Sequence, residues 1–437
     1  MGKKKYFSII IFALIFRLIL AFLVWHPDLR NHMDWGERFW EYGVKDFYTQ
    51  NVWNFTWPNQ PPGTIYLFAG VRKLYEFIFS IFWWINVHIP PFPSNLMYYL
   101  ELNLYPVLLK LPAILADFGI AYIIYKIISN HQSPRYQPVL GKPTTNHSKE
   151  IAMLGVVFFL FNPVIWYNSS VWGQYDSVIN FLALFSFYLL IQKKLTLALL
   201  TYALSLYTKA SLAIFVPIFL IVTFKQRYGW KSIMSAILIT FLILGIITIP
   251  FTDDNPYIWL YNLYKDKVFT QQLQVITANA FNLWAAIAGI HELPHTLKLG
   301  FLSYHAWGSA LFITVLTPLL YKLYKKTNAA NIFWILVLVS LSSFMLLTNM
   351  HERYLYPFFP VFTVIAGFYG LWSFYWVFSL INLLNLYNFW WTPEIPIVIN
   401  LMSAGDRLAP RLLGLLSFLL FLYLYKYYLR LFRQGKI

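Results

Sequence analysis

Apolar runs long enough to cross a bilayer recur along almost the whole chain, each bounded by a short basic segment. Of 437 residues, 59% are hydrophobic and only 11% charged. A water-soluble protein of that composition would aggregate. In lipid only helices and closed barrels satisfy every backbone group, and these runs lack the period-two alternation of barrel strands. The expected fold is therefore all-α: a polytopic transmembrane helical bundle with about 11–13 spans.

Basic residues gather at Lys3-Lys4-Lys5, Lys193-Lys194, Lys225 to Lys231, Lys322 to Lys326 and Lys426 to Lys436. That is the positive-inside pattern of cytoplasmic loops. It accounts for the net charge of +16 without invoking nucleic acid, so no nucleic-acid partner is expected. The chain has no cysteine, which excludes disulfides, thiol catalysis and Cys-ligated metals. The lysine-led N-terminal run contains Arg17 and no small-residue cleavage site follows it, so it reads as a retained first helix.

Residues 1–437 read as one membrane domain without internal repeats. Segment 6–25 runs outward and 26–101 forms an outer loop. Within that loop, 64–85 is apolar but carries Arg72, Lys73 and Glu76. If both it and 102–128 spanned, the basic loop at 129–150 would lie outside. The segment is therefore expected as an amphipathic helix or re-entrant hairpin on the outer surface. Further spans are expected at 151–168, 177–192, 195–207, 210–224, 231–250, 299–322, 330–348, 354–379, 380–401 and 408–430. A second outer loop falls at 251–298, and both termini are cytoplasmic.

Polar clusters then fall on one face. Asp176 is the only Asp, Glu, Lys or Arg between Glu150 and Lys193, and it sits in Trp172-Gly173-Gln174-Tyr175-Asp176-Ser177. A carboxylate in such a tract costs about 3 kcal/mol at bilayer depth unless it faces protein, water or a ligand. Met350-His351-Glu352-Arg353-Tyr354 carries the only charges between Lys326 and Glu394. It reads either as a self-neutralising ion pair at a helix junction or as a phosphate-binding cation, a task that suits the guanidinium fork. Asn279-Ala280-Phe281-Asn282-Leu283-Trp284 offers paired amides for hydroxyl groups, although loop asparagines more often satisfy turns. His32-Met33-Asp34-Trp35 lies in the first loop, where Asp34 competes with Asp28, Glu37, Glu41 and Asp46. Lys110 and Asp117 share a helix face and could pair through an intervening group. Lys209, isolated between Lys194 and Lys225, either snorkels or joins Arg353.

Together these residues resemble the GT-C superfamily of integral-membrane glycosyltransferases, and within it prokaryotic relatives of the second mannosyltransferase of GPI-anchor assembly. The likeness rests on Asn162-Pro163, Ser170 to Ser177, Lys110-Leu111-Pro112-Ala113-Ile114 with Asp117, Asn279 to Trp284, and Met350 to Leu355. It departs at Asn59-Gln60-Pro61-Pro62, where Tyr-Pro-Pro is common, and 380–407 has no counterpart. The resemblance implies transfer of a hexose, most simply mannose, from a polyprenyl-phosphate-sugar donor. The acceptor would be a lipid-linked or cell-surface glycan on the non-cytoplasmic face, and the step an inverting single displacement. Asp34 would be the general base. Arg353, His351 and Lys209 would hold the donor phosphate. Trp172, Gln174, Asp176, Asn279, Asn282, Trp284 and Glu352 would hold sugar or acceptor. No cofactor is required, though Asp34 and Asp176 could share a divalent metal as hard oxygen ligands. The setting implied is the plasma membrane of a bacterium or archaeon, or the ER in a eukaryote. A lipid or sugar transporter would instead place its charges at the midplane between repeats. A non-catalytic scaffold with a degenerate site would keep the clusters without the reaction.

Overall fold

The computed structural model describes residues 3–130, 145–270 and 273–437. Most of the basic loop expected at 129–150 lies outside the described residues. The described residues form a bundle of helices with one two-stranded hairpin, Lys298–Leu299 against Leu302–Ser303. The all-α polytopic class holds.

The chain enters as α1 (Lys3–Leu23) and turns at its end into α2 (Leu29–Tyr42) and α3 (Pro62–His88). Helix α3 is continuous over 27 residues, so 64–85 contains no re-entrant hairpin. Its charges are spent locally: Arg72 bonds Glu37 and Glu76, and Lys73 bonds Glu76. Next come α4 (Asn95–Asn130), α5 (Thr145–Leu160) and the short α6 (Pro163–Trp166), which continues as a widened π-helical turn over Tyr167–Trp172. Helices α7 (Asp176–Ile191), α8 (Leu195–Thr208), α9 (Val216–Lys225) and α10 (Trp230–Thr248) follow in short-turn succession. Two small helices, α11 (Pro256–Leu263) and α12 (Leu283–Ala288), lie in the next connection. The chain closes with α13 (Tyr304–Lys325), α14 (Ala329–Leu346), α15 (Phe358–Tyr369), α16 (Trp372–Tyr387) and α17 (Pro396–Arg433).

Among the described residues five helices are long and apolar enough to cross a membrane, α4, α10, α13, α14 and α17, and the bent α5–α6 pair makes a sixth. Shorter apolar helices occupy Phe7–Leu23, Asp176–Ile191, Leu195–Thr208 and Ala210–Lys225. The segments expected as spans 354–379 and 380–401 are cut differently. Gly370, in the left-handed region, ends α15, and α16 folds back on it with the Phe358 and Phe378 rings tilted against each other at 4.9 Å. Burial sorts the helices. In α14, 89% of the spanning window is buried, against 17% in α13 and 22% in α10, so α14 is the axis of the bundle and the other two present their side chains to lipid.

Two buried cations, Arg17 and Lys110, fix this packing. Asp117 receives Arg17 Nε (3.4 Å), Ser169 Oγ (2.7 Å), Ser177 Oγ (2.6 Å) and Tyr356 OH (3.0 Å). Arg17 also donates to the Leu160 carbonyl left open by the α5–α6 break, at 2.6 Å. Lys110 does not bond Asp117. It donates to the carbonyls of Ala21 and Val24 at the end of α1, where the last turn leaves acceptors free.

Candidate functional site

The Trp172–Ser177 turn is built by a helix that cannot continue. Asn162 caps α6 by accepting from the Val164 N–H, Pro163 takes the first helical position, and the π turn carries the chain to Gly173. Gly173 has φ +79°, and a Cβ there would lie 2.6 Å from Leu29 Cδ2 and 3.0 Å from Lys110 Cγ. Only glycine combines that backbone with that approach. The turn is thereby pressed onto the start of α2.

The residue it meets is Asp28. Its Oδ2 accepts from Gln174 Nε2 (2.5 Å) and Trp172 Nε1 (3.3 Å), and its Oδ1 from Asn31 Nδ2 (3.2 Å). Burial raises its pKa, but Arg353, His32, His26 and the Trp172 bond together outweigh that and bring it down to about 2. Arg353 lies over the Trp172 ring at 5.7 Å and pairs with Glu352 at 3.3 Å, while its Nε has no acceptor. The self-neutralising pair foreseen at this junction thus exists, and it leaves a donor over. Burial holds the Glu352 carboxyl above its usual range, with Arg353 opposing.

Three histidines surround this centre. Burial, aided by the charge of Arg353, drives His26 to about 3, His32 to about 4 and His351 to about 3. All are neutral at pH 7. His26 accepts the Asp28 N–H at Nδ1 and packs between Trp172 (4.4 Å) and Trp390 (4.5 Å). Lys209 joins the cluster from the end of α8, bonding Asp176 Oδ1 at 2.6 Å beneath the rings of Tyr175 and Tyr354. It does not snorkel.

Two cavities open on this centre and share Asp28, His351 and Arg353 as a common wall. The first, about 490 Å³, is lined by the amides and hydroxyls of Asn31, Thr56, Asn59, Gln60, Gln174 and Gln274, with Trp35, Tyr175 and Tyr354 supplying aromatic surface. The second, about 560 Å³, is more apolar, with Val275, Ile290, Phe389 and Trp390. Below them a cleft of about 100 Å³ runs into the bundle along Ile179, Ile214, Leu347 and Pro357, and Arg353 and Tyr354 stand at its head.

The residues expected to form a site are partly brought together. Gln174, Lys209, His351 and Arg353 line the first cavity, Asn279, Glu352, His351 and Arg353 the second, and Asp176 and Arg353 the cleft. Trp172 forms the wall behind Asp28. Asp34, Asn282 and Trp284 line none of these spaces. Asp34 accepts from the N–H and side-chain amide of Asn54 (3.0 and 2.7 Å) and from Arg38 (3.4 Å). Asn282 caps α12 by accepting from Trp284 N and Ala285 N, and the Trp284 indole donates to the Leu346 carbonyl. Asn279 bonds Asn388, with φ +66°. Of the two carboxylates suggested as shared metal ligands, Asp34 accepts from Asn54 and Asp176 from Lys209. From the sequence no role is expected of His26 or Trp390, His32 enters only as part of the Asp34 cluster, and Asp28 only as a competitor of Asp34. Asp28 had one usable signal, its place directly after the first apolar run.

The apolar helices make this a multi-pass membrane protein, with a buried charge centre beside two cavities at one end of its bundle. The chain belongs to the family of the GPI transamidase subunit PIG-U, whose profile matches residues 72–391. No curated protein matches it. The family corrects the expectation of a polyprenyl-phosphate-sugar-dependent glycosyltransferase, because PIG-U is a subunit of a protein-processing complex and not such an enzyme. The general-base role given to Asp34 falls with it.

Proposed function

We propose that this chain is a membrane subunit related to GPI-anchor processing that holds the polar head of a lipid-linked glycan and presents it to protein partners. The observation that carries the reading is the position of Arg353. It stands where a cavity lined by amides, hydroxyls and aromatic rings meets an apolar cleft descending into the bundle, and its Nε–H is unused. Sugar hydroxyls suit the amides, sugar faces suit the rings, a phosphate suits the guanidinium, and the apolar cleft of about 100 Å³ suits the first few carbons of a lipid chain. Charge limits the ligand further. Lys209 is neutralised by Asp176, and Arg353 already faces Glu352 and Asp28. A hydroxyl-rich head with a single phosphate fits; a polyanion does not.

The test uses the purified full-length chain in nanodiscs and a synthetic prenyl-phosphate mannoside, with prenyl alcohol and free mannose as controls. Gln174→Ala and Arg353→Gln should each weaken binding of the mannoside at least about tenfold, the effect of losing a buried, charge-assisted or amide contact. Lys45→Ala, far out on the surface, should change nothing. Equal binding by Arg353→Gln would sink the reading.

A further inference from the structure

Residues beyond 391 lie past the family match, and there the structure departs from a plain spanning helix. Helix α17 is broken at 404–407, where Gly405, Asp406 and Arg407 all take left-handed backbone angles (φ +56°, +54° and +57°). Such a run is costly for residues with a side chain and persists only where the surroundings hold it. Its effect is to swing Arg407 out of the helix line onto the rim of the second cavity, 6.0 Å from the Phe389 ring centre. Among the described residues Arg407 has no ion pair. The neighbouring Asp406 is taken by Arg411 and His291, each at 3.5 Å.

The remainder of α17 sets the height of this rim. From Leu412 to Tyr425 the helix has no charge, and Lys426, Arg430 and Arg433 mark its far end. Arg411 and Arg407 therefore fall at the opposite boundary of the apolar stretch, the level of lipid head groups. Phe389, on the rim, is 55% exposed, and around the break in α17 Ile397 (80%), Leu401 (63%) and Leu408 (54%) are exposed as well, interspersed with the exposed polar side chains of Asn400, Asp406 and Glu292. A mouth opening only to water would not be flanked this way.

We propose that Arg407 and the rim of the second cavity form a port for a phosphate-bearing lipid, drawn sideways from the leaflet beside the break in α17. The phosphate would meet Arg407 first, and Arg353 lies on the wall of the same cavity. Glu292 also lines the cavity but is exposed, where water and salt screen it.

The full-length chain in phosphatidylcholine nanodiscs is titrated with dihexanoyl phosphatidic acid, and separately with inorganic phosphate. Arg407→Gln should lower affinity for the lipid about five- to tenfold, the loss of one cation at the membrane surface. Arg407→Glu should lower it further, and Arg407→Lys should stay within about threefold of the parent, since it retains the charge. Unchanged melting temperatures show that the fold survives. The proposal is overturned by lipid affinity that ignores Arg407→Gln, or by inorganic phosphate binding as tightly as the lipid, which would make the site one for free anions. Gln174→Ala reports separately on the glycan-head cavity, so loss of the port leaves that reading standing.

Discussion

Asp28 and Asp34 stand six residues apart, one before α2 and one within it, and their oxygens face different partners. Asp28 closes the wall between two cavities. Asp34 fastens the loop carrying Thr56, Asn59 and Gln60, helped by the Trp35 indole on the Thr56 carbonyl. Asp34→Ala should therefore release the loop at a cost of about 1 kcal/mol, since Asn54 is exposed and water takes its freed donors, and speed hydrogen exchange across 51–60. Exchange that stays at the parent rate would show that the latch is elsewhere. The histidines give a pH prediction with a definite sign. His26, His32 and His351 have folded pKa values of about 3, 4 and 3, below the ordinary value of 6.5, so between these limits the unfolded chain binds more protons. Stability should be level above pH 7 and fall as pH drops from 6.5 toward 4, visible as a declining melting temperature. Asp28, held at about 2, adds nothing to that window. These residues also show how much of a site a sequence reveals. Arg353, His351 and Lys209 were legible because a charge within an apolar tract demands a reason. Asp28 was not, because a carboxylate in an outer loop is ordinarily just solvated.

Broken helices carry most of the site-building. The α5–α6 break exposes the Leu160 carbonyl, Arg17 covers it, and Asp117 holds Arg17 while tying Ser169, Ser177 and Tyr356. One carboxylate thus connects α1, the π turn, the first turn of α7 and the segment after Arg353. The Lys110–Asp117 spacing had suggested a pairing along α4, but both side chains reach across to other elements. Spacing along one helix reports which face a residue occupies and not which neighbour lies opposite. Asp117→Ala should destabilise the chain by about 3–5 kcal/mol, because it leaves Arg17 buried and unpaired. The double replacement Arg17→Met with Asp117→Leu should recover most of that loss, measured by thermal denaturation in detergent. If the double variant is as unstable as the single, the cost lies in the hydroxyl partners and not in the stranded cation.

At the scale of the molecule two poles separate. Near the basic pole Lys225 packs over the Tyr324 ring, Lys322 over Phe432, Asn331 bonds the Lys326 carbonyl, and the Tyr369 hydroxyl reaches Lys436. Helix α8 runs from Lys194 at that pole to Lys209 at the site, and α14 from Ala329 to the turn before Met350. The bundle class and this polarity were readable from apolar runs and lysine placement alone. The exact spans were not, since α15, α16 and the break in α17 follow from packing of aromatic faces and from backbone angles that composition does not record. The polarity makes a last prediction, and the absence of native cysteine makes it clean. Single cysteines at Lys45 and Asp254, both exposed and in the segments expected as outer loops, should react with a membrane-impermeant maleimide added to intact cells. Cysteines at Lys194 and Lys326 should react only after the membrane is opened, because basic loops are retained in the cytoplasm. Labelling of all four in intact cells would deny the polarity, and the reverse order would place the cavities on the cytoplasmic side. A glycan head held there would then have to be drawn from the inner leaflet, and the Arg407 port would open onto that leaflet as well.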